Sequence, residues 1–296
     1  MSEAQEISME IAEHGASPVD ALATASKLSK GVVKDAMAKG AVWLSRGPVT
    51  AADTSRQTPQ RSKAVRLRRN KKDLKPGDRL SLYYDPAVLA ATVPAAELLA
   101  DKGTYSLWHK PAGMLCQGSR WGDHTTLLRW AEQHLQPQRS AFIVHRIDRM
   151  TSGLVLLAHN KTAARHLSQQ FAERGVSKGY RAIVYGQLTL PLPFLIENAL
   201  DEKHCSTTIM AVNAIDTERI GVDEKCCELE ISIATGRKHQ IRRHLADLGY
   251  PIVGDRLYGK DKNQGADQVK RLDLQLRAVA LSFADPHTGE QCSYHL

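Results

Sequence analysis

The chain has 296 residues, 42% of them hydrophobic and 24% charged, a balance that fits a compact globular protein and excludes a disordered one. It carries a formal net charge of +8, has no apolar run near the ~18 residues a membrane helix needs, and starts MSEAQEISMEIAEHG without a hydrophobic leader, so a cytoplasmic protein with a polyanionic partner is expected. Its five cysteines contain no Cys-x-x-Cys pair and read as reduced thiols, which sets aside a zinc or redox centre.

Ser17-Pro18 predicts a helix start, with a hydroxyl to cap the first turn and a proline preset for it, leading into DALATASKL. A second start follows at Ser29, and Val32, Val33, Ala36 and Met37 recur at helical spacing until Gly40 stops the helix. AVWLS and AVRLR then alternate like strands, and KPGD turns the chain into RLSLYY. Between Arg61 and Arg79 nine Lys or Arg stand against two Asp, nearly the whole positive excess, and this run reads as a phosphate-contacting surface. Residues 86–101, rich in Ala and Pro, predict a linker between a small domain at 14–85 and a second domain at 102–296.

The second domain reads as strand TYSLWHK, helix TTLLRWAEQHL, strands AFIVHR and GLVLLAH, helix KTAARHLSQQFAERG, strands YRAIVYG and CCELEISIA, helix KHQIRRHLADLG and strand AVALSF. Strands that follow one another without helices between them imply an α+β fold on a mixed, largely antiparallel sheet.

Residues 144–160, VHRIDRMTSGLVLLAHN, set one carboxylate, Asp148, between Arg146 and Arg149, with His145 before it and Thr151-Ser152-Gly153 after it. An acid between two arginines is in itself an ordinary surface ion pair. The whole string, however, resembles the His-Arg-Leu-Asp-Arg-x-Thr-Ser-Gly signature of the largest family of RNA pseudouridine synthases, with Ile147 in place of leucine. Lys110-Pro111-x-Gly113, Lys178-x-Tyr180-x-Ala182 and Gly236-Arg237-x-His239-Gln240-Ile241-Arg242-x-His244 resemble that family's other motifs in order, and Pro251-Ile252 and Gly254-Asp255 continue them. Two departures stand near the end: Leu276-Arg277-Ala278 in place of Leu-His-Ala, and Asp285-Pro286 in place of His-Pro. Residues 14–85 resemble the small RNA-binding domain first described in a ribosomal small-subunit protein.

These resemblances imply that uridine in RNA is isomerised to pseudouridine. The bond from ribose to N1 breaks, the base turns, and C5 joins the same sugar carbon with no redox change. Such chemistry needs no metal or organic cofactor; it needs a carboxylate as nucleophile, toward the sugar or the base ring, or as stabiliser of a positive sugar centre. By resemblance Asp148 takes that role, Arg237 is the cation that orients it, and Tyr180 is the active-site aromatic. Lys178 is expected to hold the pocket or a phosphate. Because the target base must leave its stack, Arg146 is expected to fill the vacated space and Arg149 to anchor the loop or a phosphate.

In the late helix Ile241, Leu245 and Leu248 form an apolar face, which points Arg242, Arg243 and His239 toward solvent or RNA. His145 reads as a satisfied loop histidine, and His239 with His244 lacks a third metal ligand. Arg66, Arg68, Arg69, Lys71 and Lys72 are the expected phosphate contacts of the first domain. The expected partner is ribosomal RNA of the large subunit, with transfer RNA as the alternative, and the expected state is a monomer. A non-catalytic assembly factor would not need Asp148, Tyr180 and Arg237 together, and a glycosidic hydrolase would need a paired acid that these motifs lack.

Overall fold

The computed structural model describes residues 3–47, 61–71, 73–259 and 272–296. The chain forms two compact units, one from residues 1–93 and 117–130, the other from residues 94–116 and 131–296.

In the first unit, β1 (Gln5–Glu10), α1 (Pro18–Ser26), α2 (Lys30–Ala38), β2 (Val42–Ser45), β3 (Val65–Arg66), β4 (Arg79–Tyr84) and α3 (Pro86–Ala90) follow in order. The strands make an antiparallel sheet in the order β1-β4-β2-β3. The helices start where the capping residues stand: Ser17 Oγ accepts from Asp20 N and Ser29 Oγ from Val32 N, each at 3.3 Å. A cap of this kind contributes about 1 kcal/mol. Leu22, Val33 and Met37 of the helices bury themselves with Val42, Leu44, Leu80 and Leu82 of the sheet. The KPGD turn closes by Asp78 N donating to Lys75 O at 3.0 Å, with Gly77 at φ +84. Asp78 is buried because its carboxylate accepts from Lys75 N, Gly47 N and Arg46 Nη1 at 2.7–3.0 Å.

Three boundaries differ from the sequence expectation. The sheet begins before residue 14, since β1 pairs along its length with β4. The expected linker holds α3 and an edge strand of the other unit, and residues 117–130, expected within the second domain, belong to the first unit. Alanine and proline content could not show this, because the helix is fixed by capping at Asp85 and the edge strand by hairpin pairing with residues 106–109 just after it.

Beyond residue 93 the elements are β5 (Glu97–Asp101), β6 (Tyr105–Lys110), α4 (Leu127–His134), β7 (Phe142–Ile143), β8 (Ser152–Ala158), α5 (Lys161–Ala172), β9 (Ser177–Tyr185), β10 (Phe194–Ile196), β11 (Thr207–Ala214), β12 (Cys226–Ile233), α6 (Gln240–Asp247), β13 (Leu276–Ala284) and β14 (Gln291–His295). Ten strands form one sheet in the order β10-β11-β12-β9-β13-β8-β6-β5, with β14 beside β13 and β7 beside β8. Among the described residues every strand pairing of this sheet is antiparallel except β13 with β8. The expected α+β architecture with a mixed, largely antiparallel sheet is therefore the observed one. β8 is buried on both faces, as its uninterrupted apolar run requires, whereas β12 alternates. Gly153 has φ +112, and a Cβ there would collide with the Ala278 backbone, so the glycine of Thr-Ser-Gly lets β13 run directly beside β8.

Candidate active site

Asp148 lies on the loop between β7 and β8, and the loop is tied from several sides. Thr151 N donates to Asp148 O at 3.2 Å, which makes a tight turn around the carboxylate. Gly113 N donates to Arg149 O, and Arg149 Nε donates to Gly113 O, at 2.9 and 3.0 Å. The fully buried Lys110 donates from Nζ to the carbonyls of Pro111, Met114 and Arg149 at 2.8–3.1 Å. Burial lowers its pKa to about 8, so the three carbonyls, rather than water, solvate whatever charge it carries. Cys116 Sγ donates to Ile147 O at 3.4 Å, and burial raises this thiol's pKa. His145 stacks on Phe171 at 4.4 Å, and its Nε2 accepts from Leu156 N at 2.9 Å. Burial pushes its pKa down to about 3, which makes it the neutral, satisfied loop histidine that was expected.

An open cleft is lined by Asp148, Arg146, Tyr180, Arg237, His239 and Arg242, with Ile147, Thr151, Ile233 and Leu276 among its walls. The cation beside Asp148 is Arg242: its Nη1 stands 3.6 Å from Asp148 Oδ2. Its Nε and Nη2 donate to the two oxygens of Asp255, each at 2.8 Å. Burial lowers the Arg242 pKa, but the Asp255 hydrogen bonds and the two carboxylate charges outweigh it and raise the group overall. Asp255, itself buried, also accepts from Leu257 N and Tyr258 N, at 2.9 and 3.1 Å. Its carboxyl pKa is raised by burial and pulled further down by these hydrogen bonds and by Arg242, for a net lowering.

Two expectations change here. Arg237, expected to orient Asp148, is exposed on the cleft rim, its backbone N–H donating to Gln240 Oε1 at 3.1 Å. Arg242, expected to face solvent or RNA, is buried against Asp148 and Asp255. The phase of α6 decides both. The helix begins only at Gln240, after a left-handed residue at His239 (φ 54), and it buries Gln240, Ile241, Arg242, His244 and Leu245 together. Both arginines stand in one motif, and nothing in their spacing separates them.

Tyr180 sits on β9 between Ile231 of β12 and Ala278 of β13 and lines the cleft; burial, and then the nearby Asp148 charge, raise its hydroxyl pKa. Lys178, two residues earlier on the same strand, is half-buried and donates to Thr235 O at 3.4 Å; burial and Arg174 lower its pKa. Arg146 and Arg149 are exposed at the loop. Arg243 pairs with Asp201 at 3.0 Å, and His244 is buried, bonded to Thr207 Oγ1 and Asn198 O. At the departures, Leu276 lines the cleft, Arg277 is exposed, and Asp285 accepts from the Tyr105 hydroxyl and from His287 N and Thr288 N as a turn residue.

Among the basic residues of the first unit, Arg66 lies 4.3 Å over Trp43, donates to Ser119 O and stands 3.1 Å from Asp123 Oδ2. Burial lowers its pKa, with Asp123 opposing. Arg68 donates to both oxygens of Asp123, and Arg61 pairs with Glu10. Arg66 and Arg68 are thus structural here, not free phosphate contacts; their acidic partner is more than 50 residues away in sequence. Arg69 and Lys71 are exposed, and Lys72 lies outside the described residues.

Sequence reasoning gave Asp255 and Tyr258 no role at the site and left His239 facing solvent or RNA. His239 Nε2 stands 3.9 Å from Asp148 Oδ1, and its Nδ1 is 3.0 Å from Tyr258 Oη. The Gly254-Asp255 motif was the available signal, since a buried acid needs a partner.

Residues 104–247 match the family model described as RNA pseudouridylate synthase. Over 204 residues the chain is 32% identical to tRNA pseudouridine synthase C of Vibrio parahaemolyticus, covering 62% of this chain and 82% of that one. It is 28% identical to ribosomal large subunit pseudouridine synthase D of Neisseria meningitidis over 270 residues, 86% of this chain and 69% of the relative. Human RNA pseudouridylate synthase domain containing 1 shares the fold, with a TM-score of 0.57, 21% identity, and 70% and 84% of the two chains covered. The chain belongs to the RNA pseudouridine synthases. It is an isomerase that acts on uridine in RNA.

Proposed function

We propose that this enzyme isomerises a uridine of large-subunit ribosomal RNA, with Asp148 as the reacting carboxylate. The observation that carries the site assignment is the placement of Asp148 at a cleft, beside a guanidinium that Asp255 locks in place. A two-point contact fixes the orientation of Arg242, so its remaining nitrogen presents a fixed charge to Asp148. Tyr180 then packs against the flipped uracil, and exposed Arg146 takes the space the base leaves in its stack. Arg149, Lys178 and rim Arg237 supply backbone contacts, as do Arg69 and Lys71 of the small unit, which we read as an RNA-binding domain. Asp255 is paired to Arg242, so it is not the second acid that a hydrolase would need.

The choice of RNA is supported by the relatives. One match to a large-subunit enzyme covers 86% of the chain and so runs into residues before 94, whereas other large-subunit matches cover 68–70% and the transfer RNA matches 61–62%. Pseudouridine mapping across total RNA from cells with and without the gene tests this. Loss of a large-subunit site is the expected result; loss of a transfer RNA site alone would assign the enzyme to the alternative substrate. Release of free uracil from RNA by the purified protein would overturn the isomerase assignment.

A further inference from the structure

A hydroxyl shut away from water needs a partner, and a fold that buries one without any has kept it for some other reason. Thr151 is 2% exposed, and its Oγ1 is buried with no hydrogen-bond partner among the described residues. Slack in the chain does not account for this. Thr151 N donates to Asp148 O at 3.2 Å, Met150 packs against the core of β9 and β12, Ser152 opens β8, and Gly153 lies against the Ala278 backbone. The backbone is thus fixed relative to Asp148 on both sides of the threonine. Valine has nearly the same shape and would avoid the desolvation of an unpaired hydroxyl, so packing alone gives no reason for a threonine here.

Thr151 also lines the cleft that holds Asp148. Several polar side chains on the same walls are already committed. Gln240 Nε2 donates to Ser206 O and Thr207 Oγ1, and its Oε1 accepts from Thr235 Oγ1 and Arg237 N. Arg242 is held by Asp255, and His239 meets Tyr258. The Thr151 hydroxyl has no such tie. A turn about χ1 exchanges Oγ1 with the methyl group between staggered positions, and here it breaks no hydrogen bond.

To react, Asp148 must stand at the N1–C1′ bond, whether it attacks the sugar or the base ring. The polar groups flanking that bond are the ribose 2′-hydroxyl and uracil O2. We propose that Thr151 Oγ1 turns into the cleft and hydrogen-bonds one of these two groups of the flipped-out uridine, so that the reacting bond is held against Asp148. A hydroxyl both donates and accepts, which suits the 2′-hydroxyl, and as a donor it suits O2. The entering nucleotide displaces water, and a hydrogen bond that satisfies two otherwise unpaired groups in such a dry site is stronger than one at the surface. The hydroxyl orphaned in the free enzyme thus finds its partner only in the complex. This inference rests on Asp148 being the reacting carboxylate.

The test compares Thr151→Val and Thr151→Ser on an RNA that the wild-type enzyme modifies. Valine keeps the shape and removes the hydroxyl, so the single-turnover rate should fall about tenfold or more, the effect of leaving one buried uridine group unpaired. The thermal midpoint should stay within about 2 °C of wild type or rise, because the free enzyme loses no hydrogen bond. Serine keeps the hydroxyl and should retain more of the rate than valine; a role in packing alone gives the reverse order. The partner is read in the Asp148→Asn background, from the affinity for RNA carrying uridine, 2′-deoxyuridine or 2-thiouridine at the target. Adding Thr151→Val there should weaken binding of the uridine RNA about threefold or more and leave the affinity for one of the two substituted RNAs unchanged, the signature of a direct contact. A smaller fall in rate, a midpoint lowered by more than about 2 °C, no loss of affinity for the uridine RNA, or a loss that persists with both substituted RNAs would overturn the proposal. Turnover by Asp148→Asn alone would instead overturn the reading on which it rests.

Discussion

Replacing Asp255 with Asn separates the architecture of the site from its chemistry. Asp255 and the Arg242 side chain are 1% and 7% exposed, and two 2.8 Å hydrogen bonds join them. Removing the carboxylate charge leaves a guanidinium buried without its partner, and an amide nitrogen directed at a group that only donates. Breaking one side of such a pair costs about 3–5 kcal/mol. At about 2–4 °C per kcal/mol for a protein of this size, thermal unfolding followed by circular dichroism should drop by roughly 6–20 °C. Arg242→Met combined with Asp255→Leu should recover most of that loss, since an apolar pair of similar volume avoids the desolvation of two charges. It should not recover activity, because Arg242 no longer faces Asp148. The pH dependence has a definite sign. The folded-state pKa of Asp255 is depressed, so its stabilisation is complete above the unfolded value near 3.9 and is lost as pH falls through the folded value. The stability gap between wild type and Asp255→Asn should therefore hold steady from pH 7 to about 5 and narrow below about 4. A gap under about 1 kcal/mol at pH 7, or an active double apolar variant, would refute the assigned roles of the pair.

Asp148→Asn should abolish pseudouridine formation while RNA affinity, measured by filter binding, stays within about a few fold, because the side chain serves chemistry and not phosphate contact. Removal of residues 1–93 should leave the 94–296 chain sensitive to proteolysis within 117–130, since Asp123 then loses Arg66 and Arg68; resistance of that segment would contradict the division of the fold. The same truncation should flatten the plot of log affinity against log salt by roughly 0.7–0.9 per lost phosphate contact, with Lys63, Arg69, Lys71, Lys75 and Arg79 as the contributors among the described residues and Arg61, Arg66 and Arg68 excluded by their ion pairs. Unfolding free energy should also decline as pH drops from 6.5 toward about 3, where unfolded chains protonate His145 and the folded chain does not; His145→Asn should show a shallower decline in the same titration.

Local chemistry was legible in the sequence. Ser17-Pro18 and Ser29 mark helix starts because a hydroxyl caps the first free N–H groups whatever the rest of the chain does, and KPGD makes a turn because glycine accepts φ +84. The alternation of CCELEISI and the unbroken apolar run of SGLVLLA follow from one-sided and two-sided burial, and the motif around Asp148 carried the family. Pairings across long distances were not legible. Arg66 and Arg68 read as RNA contacts until Asp123 arrives beside them, and Arg237 and Arg242 read alike until the start of α6 turns one outward and the other toward Asp148 and Asp255. A charged side chain's role depends on which opposite charge the fold places near it, and that neighbour is set by tertiary packing, not by spacing along the chain.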